Sequence, residues 1–172
     1  MVSSDRLFLD FSARKLRQLG GRIEDCLSRL TNEQIWARGT ESENAVGNLV
    51  LHLDGNVRQW IVSAVGGSPD TRRRDAEFAT RGGVGASALA ELLRGTLSEA
   101  VAVIEALPAD RLQEPLTVQS YHVTVLEAIY HVVEHFAGHT GQIIYATKLS
   151  TGEDLGYHGH LKTTAAHSEK TP

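Results

Sequence analysis

The amino-acid sequence predicts an all-α fold, a four-helix bundle with long connections. Three observations carry this. Four stretches of roughly 20 to 26 residues repeat apolar residues at helical intervals. Each is bounded by capping or stop signals. No convincing set of alternating, strand-like segments competes with them. At 172 residues the chain suits one domain, long enough to bury a substantial core without disulfides or structural metals as props. Residues 1–162 are expected to form that domain, and 163–172, small and polar, a flexible tail.

The first helix is expected from about Asp5 to Leu30, with Ser3 or Ser4 as N-cap. Its apolar residues Leu7, Phe11, Leu16, Leu19, Ile23, Leu27 and Leu30 recur every three to five positions. The second runs from about Ala45 to Val65 and stops at Gly66-Gly67, followed by Pro69. Residues 68–85 are polar and Gly-rich and read as a loop. The third spans about Ala86 to Leu107, where Pro108 ends it. Leu116 to Val123 alternates weakly, as a short extended segment would. The fourth opens on Thr124-Val-Leu-Glu127, a capping box whose two side chains satisfy each other's backbone amides. It continues to about Ser150 and ends at Thr151-Gly152. Connections of roughly 15 to 20 residues allow a crossover between helices.

Composition excludes several function classes. The net charge is −4 and the basic residues are scattered. Asp70 and Asp75 flank the one basic run, Arg72-Arg73-Arg74, which reads as a solvated loop, so nucleic acid is not an expected partner. No uncharged apolar stretch reaches about 18 residues, so no membrane span is expected. Cys26 is the sole cysteine, which suits a reducing cytosol. With no export-type leader in "MVSSDRLFLDF", a cytoplasmic location is expected.

The chemistry concentrates in "HVVEHFAGHT", residues 131–140. His131, His135 and His139 fall four positions apart and share one side of a helix. On a wheel with His131 at 0°, His135 lies at about 40° and His139 at about 80°, while the apolar arc centres near 150°. His139 is therefore deepest and His131 furthest out. Residues eight apart rise about 12 Å, so the possible chelates are His131 with His135, or His135 with His139; the wheel favours the second. A stable site needs a further ligand from another helix. His52 provides one, on the border of the apolar stripe formed by Leu49, Leu53, Val57 and Trp60, with Asn48, Asn56 and Gln59 on its side. Each histidine taken singly also fits a partly buried side chain with a hydrogen-bond partner.

His131 to His135 also matches the H-x-x-E-H signature of inverted zinc proteases. Glu134, at about 300°, points away from the core. After the fourth helix only Glu153, Asp154 and Glu169 remain as carboxylates. The protease reading is set aside.

"NLVLHLDGNVRQWI" at 48–61, "VVEHFAGHTGQIIYATK" at 132–148 and "DLGYH" at 154–158 together resemble the DinB/YfiT-like superfamily of metal-dependent four-helix-bundle proteins, over roughly residues 5 to 157. The resemblance implies a DinB-like fold and a divalent metal on His52, His135 and His139. His131, Asn48, Asn56 and Gln142 are then candidates for supporting positions around it. Gly138 stands where many relatives carry another histidine. A three-imidazole site accepts zinc, nickel, iron or copper according to supply, with zinc or nickel expected first.

Several members of this superfamily resemble low-molecular-weight-thiol transferases or a thiol-dependent isomerase. The implied activity is thus transfer of such a thiol to a small electrophile. The alternative is a non-catalytic, metal- or ligand-binding stress-response protein. No catalytic side chain can be named. Leu49, Leu53, Trp60, Phe136 and Ile143 are the expected walls of a mostly apolar pocket, and Arg58 and Lys148 could hold an acidic thiol. The family also implies a homodimer, for which Trp36 and Leu51 are the candidate exposed anchors.

Overall fold

A computed structural model describes residues 2–157 and 159. The end of the domain expected at 162, the tail 163–172 and His158 of the last motif lie outside the described residues. The described elements are α1 (Ser4–Arg29), α2 (Asn32–Trp36), α3 (Val46–Val57), a π-helical continuation (Arg58–Val65), α4 (Arg74–Ala79), α5 (Ala86–Ala106), a 3₁₀ turn (Ala109–Gln113), β1 (Pro115–Val118), β2 (Tyr121–Thr124) and α6 (Val125–Thr151). Among the described residues no helix is long and apolar enough to cross a membrane.

Four long helices form the bundle. α1 packs against α5 and α6, and α3 against the same two. The two helices met first along the chain therefore stand diagonally, and the connection of residues 30–45 makes the crossover. The core runs through Leu16, Ile23, Leu53, Leu93, Ile129 and Phe136; burial of each such side chain contributes roughly 1.5–3 kcal/mol.

Local signals set the helix ends. Ser3 Oγ accepts from Arg6 N at the start of α1. At the start of α6 the Thr124–Glu127 capping box forms in both directions, and Gly152 closes the helix with φ 72°, where glycine avoids the Cβ penalty. The weakly alternating segment is a hairpin, with β1 and β2 antiparallel in register from Pro115↔Thr124 to Val118↔Tyr121.

Four expectations are corrected. Leu7 and Phe11 are 56% and 55% exposed, because the buried stripe of α1 runs through Leu9, Ala13 and Leu16 instead. The stretch 68–85 is not loop throughout, since α4 forms within it. Trp36 is half-buried, its Nε1 donating to Val84 O at 2.9 Å, and Leu51 packs on the core, so neither is an exposed anchor. Finally, the second helix loosens after Val57 into π-helix, with Gly66 N donating to Ile61 O at 2.9 Å. A wider turn rotates each later residue less, which swings Trp60 toward the side of α3 that carries His52.

Candidate metal centre

α3 and α6 pack side by side, and their two histidine-bearing borders meet. His52, His135 and His139 come together with one ligand atom of each within 4.8 Å of the others. His52 Nε2 and His135 Nε2 are 2.9 Å apart. This is a hydrogen-bond distance; two nitrogens bound tetrahedrally to one ion at about 2.1 Å lie roughly 3.4 Å apart, so the pair would open by about 0.5 Å to share one. These three histidines could together hold a metal ion.

Polar partners stand on the far sides of two of the rings. His139 Nδ1 donates to Gln142 Oε1 at 2.8 Å, leaving its Nε2 as the free acceptor. His52 Nδ1 has two partners, Glu77 Oε2 at 3.0 Å and Arg72 Nη2 at 3.1 Å. Burial pushes the His135 pKa down to about 4, and positive charge on His139, His52, His131 and Arg72 would add to that. Burial also lowers His139. Metal ligation requires neutral imidazole, and this environment keeps it neutral.

Glu77 and Arg72 were not among the residues expected here. Arg72 Nε donates to Glu77 Oε1 at 2.7 Å and Arg72 Nη2 to Oε2 at 2.9 Å. The Arg72 side chain is only 3% exposed, so the first residue of the basic run is buried, not solvated. Burial alone would raise the Glu77 pKa, but the bonds from Arg72 and His52 outweigh it and hold the carboxyl below its usual range. The sequence signal was Gly55. Glycine inside a helix costs about 1 kcal/mol relative to alanine, and this one, three residues after His52, makes room for the carboxylate.

The four expected supporting residues divide. Gln142 touches His139 as described. His131 packs tilted against Trp60 at 4.3 Å between ring centres and stacks on the His135 ring at 5.5 Å, lining the cavity beside the histidines. Asn56 is buried and lines it too. Asn48 reaches no histidine; its Nδ2 donates to Glu77 O at 2.8 Å and Thr80 O at 2.9 Å, so it pins the backbone of α4.

Beside the histidines opens a cavity of about 510 Å³. Its walls include His52, His131, His135, Trp60, Tyr121 and Arg74. Of the five expected wall residues only Trp60 takes part; Leu49, Leu53, Phe136 and Ile143 are in the core. The hairpin supplies the opposite wall instead. Arg58 is engaged with Glu99 and Thr96, and Lys148 lines a different cavity, with Arg22 and Tyr157. Neither reaches this one. Glu134 is exposed, as the wheel required.

An all-α bundle with such a histidine cluster between facing helices is the arrangement that the DinB/YfiT-like resemblance implied. The chain belongs to the family described as "Protein of unknown function (DUF1572)", whose model matches residues 3–157. No curated protein matches it in sequence. Among solved structures it is similar to a conserved protein from Enterococcus faecalis, with 15% identity, 84% of this chain and 97% of that one covered, and a TM-score of 0.69. It is also similar to a DinB-like protein from Bacillus cereus ATCC 10987, with 14% identity, coverage of 77% and 85%, and a TM-score of 0.63. Likeness at these identities establishes a DinB-like fold.

Proposed function

We propose that the chain is a metal-dependent enzyme that transfers a low-molecular-weight thiol to a small electrophile, with His52, His135 and His139 as metal ligands. The observation that carries this is the position of two of the histidines, His52 and His135, on the wall of an open cavity large enough for an organic substrate. His52, His135 and His139 would hold a divalent ion, zinc or nickel, whose positive charge would favour a thiolate at neutral pH.

The chain's own residues do the rest. Glu77 and Gln142 orient two of the imidazoles, and burial keeps His135 neutral. Trp60, Tyr121 and Val123 offer an apolar wall for the electrophile, while Arg74 at the rim presents positive charge to an acidic group. As the carbon–sulfur bond forms, the bond from that carbon to the leaving group breaks; the group takes the electron pair and leaves through the open cavity, and the thiol's proton passes to solvent.

This reading takes residues 1–162 as one domain of a cytoplasmic homodimer. The outer face of α6, with Tyr130, Tyr145 and Leu149 at 62%, 66% and 70% exposure, replaces Trp36 and Leu51 as the surface on offer for pairing. A monomer in light scattering at micromolar concentration would remove the dimer alone.

The second reading, a non-catalytic metal-binding stress protein, draws support from the Arg72–Glu77–His52 network, through which an ion would also staple α4 to the bundle. One spectrum separates the two. Cobalt-substituted protein should develop a thiolate-to-metal charge-transfer band on adding a small thiol. An unchanged spectrum across several thiols, with metal removal lowering stability, would leave the second reading standing.

A further inference from the structure

We propose that Glu77 is a positioning residue of this centre: held in place by Arg72, it locks His52 in the form protonated at Nδ1, so that its Nε2 lone pair faces His135 and His139. The proposal rests on the reading of the three histidines as a metal site, and it concerns what makes His52 competent to join it.

A neutral imidazole carries one proton, and the partner at one nitrogen decides what the other offers. At His52 Nδ1 two partners compete. Glu77 Oε2 lies 3.0 Å away and accepts; Arg72 Nη2 lies 3.1 Å away and can only donate. Were Arg72 to prevail, Nδ1 would carry the lone pair and the proton would move to Nε2, the ligand face. Glu77 prevents this by occupying the guanidinium with both carboxylate oxygens, at 2.7 and 2.9 Å, while still accepting from His52.

The arrangement is held from every side. Arg72 Nη1 donates to Gln59 Oε1 at 3.0 Å. The backbone carbonyl of Glu77 is fixed by Asn48. A Cβ at Gly55 would come within 2.1 Å of Glu77 Oε1, so only glycine leaves the carboxylate its place. Phe78, the next residue of α4, packs its ring 4.8 Å from that of His52. Carboxylates on the outer nitrogen of a metal-bound histidine typically change metal affinity 10- to 100-fold when removed.

The test uses the full chain. Nitrogen-15 NMR of the metal-free wild type should report His52 as Nδ1–H; finding Nε2–H would overturn the proposal without any variant. Glu77→Gln keeps the volume but presents an amide donor, and should shift His52 toward Nε2–H and weaken zinc binding about 10- to 100-fold in a chelator competition. A Glu77→Gln protein with the wild-type tautomer and unchanged zinc affinity, whatever its melting temperature, would also overturn it and leave the pair as scaffold. A wild type that binds no zinc, yet shows the tautomer change on Glu77→Gln, would defeat the metal reading while upholding the positioning role.

Discussion

Glu77 reaches into α3 at Gly55, where a Cβ would lie 2.1 Å from its Oε1 and 3.1 Å from Arg72 Nε. Elsewhere such contact with a flexible side chain would be relieved cheaply. Here the carboxylate is 8% exposed and bound to both Arg72 and His52, so it has nowhere equivalent to go.

Gly55→Ala is therefore expected to destabilise the protein, although in an open helix the same change would help by about 1 kcal/mol. Displacing the carboxylate from a buried ion pair should cost about 1–3 kcal/mol net. Chemical denaturation of the metal-free protein measures this. A variant more stable than wild type would show that the recess is not needed.

His52→Ala, His135→Ala and His139→Ala should each lower zinc affinity by roughly a hundredfold or more, since two remaining imidazoles bind weakly. His131→Ala should keep most of it, because His131 faces Trp60 and the cavity. Metal analysis of untagged protein after dialysis is the measurement. If His131→Ala emptied the site and His139→Ala did not, the chelate would be the His131–His135 pair.

The sequence makes some of these features legible and conceals others for physical reasons. Helix ends follow from nearest-neighbour chemistry, so Gly66, Pro108 and the Thr124–Glu127 box could be read directly. The three histidines were legible because helical spacing converts sequence separation into direction. Arg72 and Glu77 were not. α4 is only six residues long, too short for a periodic pattern, and its meeting with His52 is a tertiary event. The π-helical turn leaves no mark in composition, so the wheel, although it placed Trp60 among the cavity walls, could not foresee the wider turn that brings it there. On α1 a tolerance of three to five residues admitted Leu7 and Phe11, which the helix turns outward.

The hairpin that forms the cavity's outer wall turns through Gln119 and Ser120, at φ 50° and 67°. Left-handed backbone costs a side-chain-bearing residue about 1 kcal/mol, and two-residue hairpin turns favour glycine there. Ser120→Gly should raise the melting temperature by about 2–4 °C while Gln119 still donates to Gln59 and zinc binding is unchanged. A lower melting temperature would mean that the serine side chain compensates for its backbone.

Acidification tests the environment of His135. Its folded pKa is pushed down to about 4, by burial first and by the neighbouring histidines and Arg72 second, against about 6.5 in the unfolded chain. Between those values the unfolded chain binds a proton that the folded one refuses, so the metal-free protein should lose stability as pH falls through that window. His139 and His131 act in the same sense, since burial lowers both. Glu77 acts elsewhere: its lowered pKa contributes stability above about 4.5 that is lost only at more acid pH. Melting temperatures of metal-free wild type and His135→Gln between about pH 7 and 5 isolate the effect. The variant should show the shallower decline, since glutamine binds no proton in either state. Parallel curves would mean that His135 titrates as an ordinary exposed histidine, and that nothing in its surroundings holds the lone pair ready for a metal.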